Sequence, residues 1–156
     1  MMKRIRFAMT LMVMVMCSLL AVGCGAADGN GQNCCEYEQQ DKAVLQKVLK
    51  RIAAENPDGF TVDAETLKPI EDGYAVSLEA TQNSFGDEGL AKVIDYVTSH
   101  KEVNAYGGWL NSDNNQYYYD ATVICTTKEE ADSLAKANNQ IAYFDLKNMQ
   151  EIRVGK

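Results

Sequence analysis

The run Gln116-Tyr117-Tyr118-Tyr119-Asp120-Ala121-Thr122-Val123-Ile124-Cys125-Thr126 is rich in aromatic and β-branched residues, the side chains that suit a pleated strand. By parity it splits into an apolar set, Tyr117, Tyr119, Ala121, Val123 and Cys125, and a more polar one, Tyr118, Asp120, Thr122 and Ile124. A period of two is the pattern of a strand with one face on a core. Upstream, residues 105–110 form a second extended run, joined to the first by Asn111-Ser112-Asp113-Asn114-Asn115, a polar connector of hairpin length. The two runs are expected to pair antiparallel. Downstream, Thr127 and Glu130 stand at capping-box spacing and open a helix over 128–137.

Further out the alternation repeats. From Gly73, Tyr74, Val76, Leu78 and Ala80 alternate with Ala75, Ser77, Glu79 and Thr81, a strand pattern. Ser84 with Asp87 three residues on reads as an N-cap with acid in the first turn, ahead of the helical stripe Leu90, Val93, Ile94 and Val97. Residues 140–146 make a final strand. The order from 73 to 146 is therefore βαββαβ, the signature of the ferredoxin-like split βαβ unit, an α+β antiparallel sheet with two helices on one face. Ahead of it, Val44, Leu45, Val48, Leu49 and Ile52 mark an amphipathic helix over 36–55, stopped by Asn56-Pro57-Asp58-Gly59. A short extended piece at 60–62 and a further edge strand in the last ten residues are additions to that unit.

In this topology the strands beginning at Gly73 and Gln116 are expected to be central neighbours. Tyr74, Val76 and Leu78 would then lie with the apolar parity of 117–125 beneath the helices. The opposite face would collect Ser77, Glu79 and Thr81 beside Tyr118, Asp120 and Thr122, which makes those six the candidate binding face. Glu79 and Asp120 facing each other would form a carboxylate pair, the arrangement that separates an acid from a base; surface acids without catalytic work explain the same letters. A helix 36–55 lying over this face would bury it.

The first 23 residues differ in kind. Lys3, Arg4 and Arg6 are the only charges before residue 24, and Phe7 to Val22 is a mostly apolar run of signal h-region type, shorter than the ~20 residues of a spanning helix. It ends in Leu20-Ala21-Val22-Gly23-Cys24, which resembles the lipobox of bacterial lipoproteins, with Ala21 where the family usually has Leu. The resemblance implies cleavage after residue 23 and lipidation of Cys24, acyl chains such as palmitate holding the protein on a membrane; an uncleaved N-terminal anchor is the other reading. Residues 24–35 read as the lipidated cysteine and a flexible tether, and 36–156 as one domain. Gly25 stands where an inner-membrane retention signal would place Asp, so the outer membrane, on its periplasmic face or at the cell surface, is the expected address.

With three basic residues in that leader, the rest holds 12 basic against 22 acidic residues, a net −10. This argues against nucleic-acid binding, although Tyr117-Tyr118-Tyr119 and the βαββαβ order are similar to an RNA-recognition motif. Cys34, Cys35 and Cys125 remain in the mature chain; either one of the adjacent pair bridges to Cys125 or all three stay thiols. No metal or cofactor is expected. His100 is the only histidine, and Asn111, Asp113 and Asn115 lack the glycine and glutamate of a calcium loop. No Ser-His-Asp set, H-E-x-x-H motif or phosphate loop occurs, and Cys125 with His100 is the one thiol–base pair to consider. Gly107-Gly108 marks a bulge or close packing, and Trp109, if exposed, a binding anchor.

Residues 56–61, 80–84, 107–109, 117–120 and 141–146 together resemble a small domain of uncharacterised bacterial proteins, spanning about 56–153; the resemblance implies a fold and no activity. The expectation that follows is a non-enzymatic envelope lipoprotein whose acidic domain binds another protein, a basic one for instance, as an immunity or inhibitor factor does. A small-molecule or ion binder on the open sheet face is the alternative, and a small envelope hydrolase using Glu79 and Asp120 a third.

Overall fold

The computed structural model describes residues 33–111 and 114–155, with backbone alone for 33–38 and 40. The leader, Cys24, the tether up to residue 32 and Asp113 lie outside the described residues, as do the side chains of Cys34 and Cys35. The described chain is α+β: one open antiparallel sheet of six strands with three helices. In chain order the elements are α1 (Asn33–Glu55), β1 (Gly59–Asp63), β2 (Tyr74–Ser77), α2 (Gly86–Ser99), β3 (Ala105–Asn111), β4 (Gln116–Cys125), α3 (Lys128–Ala137), β5 (Ala142–Asp145) and β6 (Gln150–Arg153). A single 3₁₀ turn, Glu79–Thr81, follows β2. The strands lie side by side in the order β1-β3-β4-β2-β5-β6.

The hairpin β3–β4 forms as its sequence requires. Trp109 pairs with Tyr118, Gly107 with Asp120 and Ala105 with Thr122, and the register runs unbroken through Gly107-Gly108. These glycines therefore mark close packing and not a bulge. A Cβ on Gly108 would lie 2.5 Å from the Phe60 ring and 2.8 Å from the Tyr117 ring, and one on Gly107 2.7 Å from Thr122 Oγ1. On the other side of β4, Tyr74 pairs with Cys125 and Val76 with Val123.

This register places Tyr119 and Ala121 of β4, Tyr106 of β3 and Val62 of β1 on one face, under Leu49 and Ala53 of α1 and Leu90, Val93, Ile94 and Val97 of α2. A smaller cluster continues on the same face, where Ala131 and Ala135 of α3 meet Val76, Cys125 and Tyr143. All three helices thus cover one side of the sheet. α1 is tied to α2 by Lys42 with Asp95 at 2.6 Å and Lys50 with Asp87 at 2.7 Å. α3 opens on a complete capping box, the Thr127 hydroxyl accepting from Glu130 N while the Glu130 carboxylate accepts from Thr127 N. No helix among the described residues is long and apolar enough to cross a membrane.

α2 departs from its sequence reading. It begins at Gly86 with Phe85 at the N-cap and no side chain closing the first turn. Ser84 is drawn into the sheet instead, where its carbonyl accepts Tyr119 N at 2.8 Å and Phe85 bridges to Tyr118. The segment 78–85 thereby takes over as the partner of the first half of β4 once β2 has ended.

Candidate functional site

The face of the sheet turned away from the helices is covered by no helix among the described residues. The registers put Thr61 and Asp63 of β1, Ala105, Gly107 and Trp109 of β3, Tyr118, Asp120, Thr122 and Ile124 of β4, and Ala75 and Ser77 of β2 on it. Four of the six candidate residues, Ser77, Tyr118, Asp120 and Thr122, are therefore brought together as the parity of their strands required.

Glu79 and Thr81 are not among them. β2 ends at Ser77, and the 3₁₀ turn swings both residues out of the alternation. Thr81 is fully buried, and its hydroxyl accepts the Ala121 N–H at 3.0 Å, substituting for the strand partner that β2 no longer supplies. Glu79 is exposed and turns toward the end of α3, where it accepts from Asn139 Nδ2 at 2.8 Å. The Glu79–Asp120 carboxylate pair does not form, so the acid–base chemistry built on it has no geometric basis here.

Asp120 is the unusual group of the face. It is only 8% exposed, although it sits on the uncovered side, because the Trp109 indole lies over it and donates from Nε1 to Oδ2 at 3.1 Å. The Ser77 hydroxyl is its second partner. Burial pushes its pKa up to about 6, and the Trp109 and Ser77 hydrogen bonds offset only part of that rise. Gly107, directly opposite Asp120, leaves room for the neighbouring Thr122, whose Oγ1 a Cβ there would approach to 2.7 Å.

Around this acid stands a fixed aromatic group. Trp109 stacks on Tyr118 with centroids 5.2 Å apart and planes 20° from parallel, and Phe85 meets Tyr118 edge-on at 5.6 Å. The Tyr118 hydroxyl accepts from Asn114 Nδ2 at 2.8 Å and donates to Gln116 Oε1 at 3.3 Å, which ties the ring to the hairpin tip. Trp109 and Phe85 each remain 45% exposed. Phe85 is the member that sequence reading missed. An aromatic residue just before a helix was its only signal, and its place on β4 depends on the non-strand segment 78–85.

The other candidates stay apart. Cys125 is a free, buried thiol on the helix face, its pKa raised by burial and by Glu130 nearby. The His100 ring is occupied elsewhere, stacked on Tyr96 at 3.9 Å with Nδ1 near the Tyr96 carbonyl and the Ser99 hydroxyl. Among the described residues no three His, Cys, Asp or Glu side chains gather as a metal site requires. Compared with family models, with curated proteins and with solved structures, the chain matches none.

Proposed function

We propose that this chain is an envelope lipoprotein, anchored by lipid on Cys24 through a tether, whose acidic ferredoxin-like domain binds a basic protein partner as an inhibitor, immunity factor or adaptor. The four strands β5-β2-β4-β3, with the first of the unit between its fourth and third, support the ferredoxin-like reading. One observation carries the binding reading: the helix-free face presents a fixed, half-exposed Trp109–Tyr118–Phe85 cluster, and its positions on β1, β3, β4 and β2 hold no Lys or Arg. Buried aromatic anchors supply much of the energy of protein interfaces. The net −10 of residues 24–156 adds steering toward a basic partner.

The test uses the full chain in detergent as bait against envelope and secreted proteins of its own and competing cells. A stoichiometric basic partner is expected, released by high salt and repelled by Thr61→Arg with Gln116→Arg, which set cations on two sides of the cluster. Retention by that double variant, or an affinity indifferent to salt, would contradict the reading. Asp120, an acid kept out of water beneath an indole, favours as a second reading a small cationic ligand on the same face. A ligand of that kind would raise the melting temperature of the wild type and not of Asp120→Asn.

A further inference from the structure

Trp109 offers its two ring faces to different surroundings. One is stacked on Tyr118 of β4. The other looks toward β1, where its register partner is Gly59, so β1 places no side chain against it. Gly59 is suited to that post in two ways: its φ of +151° disfavours an L side chain, and a Cβ there would sit 2.9 Å from the Gly108 carbonyl oxygen. The result is an indole face that no side chain of β1 opposes directly, flanked by Thr61 and 45% exposed among the described residues, with a carboxylate bonded to the edge of the same ring.

We propose that this ledge holds a cationic side chain of the protein partner, an arginine guanidinium above all, seated on the free face of Trp109 with Asp120 at the edge of the indole. The assignment rests on the protein-binding reading above and names the group that the partner inserts. A cation is drawn to an indole face by the ring quadrupole. A carboxylate accepting the indole N–H puts negative charge in the plane of that ring and strengthens the attraction. A guanidinium suits the site better than an ammonium because it is planar, weakly hydrated and stacks on aromatic faces. The ledge is also held still before anything binds, by Asp120 on Nε1, by Tyr118 on one face and by Phe85 beyond Tyr118, so that little ordering cost remains.

Charge separates this occupant from a neutral sugar ring, which also stacks on tryptophan. Most polar groups beside the ledge are engaged with one another, Asn114 and Gln116 with the Tyr118 hydroxyl and Ser77 with Asp120, which leaves the Thr61 hydroxyl as the one neutral polar group at its flank. Around the ledge the charge is negative, from Asp63 and Asp120, with no Lys or Arg on β1, β3, β4 or β2; the one basic residue the registers place on this side, Arg153, lies on β6 at the far edge of the sheet.

Trp109 is the only tryptophan, so the fluorescence of the full chain in detergent reads the ledge directly. Titrations would use a hexa-arginine peptide, a hexaglutamate peptide and N,N′-diacetylchitobiose. The expected result is a saturable change with the arginine peptide alone, lost at about 0.5 M salt where charges are screened within a few ångströms. Affinity should fall about tenfold in Asp120→Asn, as loss of one charge contact implies, and by a similar factor in Tyr118→Leu, which removes the ring that holds the indole in place. Glu88→Gln, at the start of α2, should leave it unchanged. Equal weakening by Glu88→Gln would mean diffuse charge and overturn the seat, and a response to the disaccharide in place of the peptide would make the face glycan-binding. Anisotropy of a labelled partner on Trp109→Phe, checked for fold by circular dichroism, keeps the two readings distinct. A partner lost in Thr61→Arg with Gln116→Arg but held undiminished by Trp109→Phe overturns the cation seat and leaves protein binding standing.

Discussion

Asp120 is held where water would suit it better, and that has a measurable sign. Its pKa is raised from 3.8 to about 6, so between those values the folded chain holds a proton that the unfolded chain has released. Stability is therefore fully present below pH 4, declines as pH rises through 4 to 6, and stays lower above. Asp63, on β1 of the same face, is kept below its ordinary range by the Thr66 hydroxyl and backbone and remains charged throughout that window. Asp120→Asn removes the charge and keeps an oxygen for the indole. Thermal melts should show the variant more stable than wild type by about 1–3 kcal/mol at pH 7.5 and no more stable at pH 4; a gain equal at both pH values would refute the burial account. Two hydroxyls nearby have opposite expectations. Thr81→Val strips the Ala121 N–H of its acceptor in a fully buried place and should cost about 1–3 kcal/mol. Ser84 Oγ is buried with no partner among the described residues, so Ser84→Ala should be neutral or stabilising in urea unfolding, and a loss above about 1 kcal/mol would show a further bond.

At the scale of elements, α3 and α2 show two ways to begin a helix. α3 is closed by side chains, and Thr127→Ala should lower stability by about 1 kcal/mol in denaturant titrations. α2 is closed by packing: Gly89 lies so near the Ser84 backbone that a Cβ would come within 2.5 Å of its carbonyl carbon. Gly89→Ala, ordinarily a gain of about 1 kcal/mol inside a helix, should here cost about 1–3 kcal/mol by overpacking. The contrast also marks what could be read from the residues. The hairpin, the faces of β4 and the Thr127–Glu130 box were legible because each rests on spacing within one segment. Ser84 had the spacing of a cap and Glu79 and Thr81 the parity of a strand, yet both readings failed for one reason. The first half of β4 outruns β2 and takes its partners from 78–85, through a carbonyl and a threonine hydroxyl, and local periodicity carries no trace of that long-range need. Phe85 was missed for the same cause, while Trp109 could be named an anchor only on condition of its exposure.

At the largest scale, placing α1, α2 and α3 on one side leaves a sheet face with no covering helix among the described residues, and the acid excess of residues 24–156 biases what approaches it. On the proposed reading, long-range attraction between this acidic domain and a basic partner should appear mainly in the association rate, falling steeply with ionic strength, while substitutions at Trp109 or Tyr118 should act on dissociation. Surface plasmon resonance at several salt concentrations separates the two. The most direct test of the open face as the binding face uses its single indole N–H resonance. Because Trp109 is the only tryptophan, a ¹⁵N-labelled chain gives one such peak. On addition of the captured partner that peak is expected to shift or broaden in step with binding, together with the amides of Tyr118 and Asp120. An unmoved indole peak in a saturated complex, with the changes on α1, α2 or α3 instead, would contradict the account.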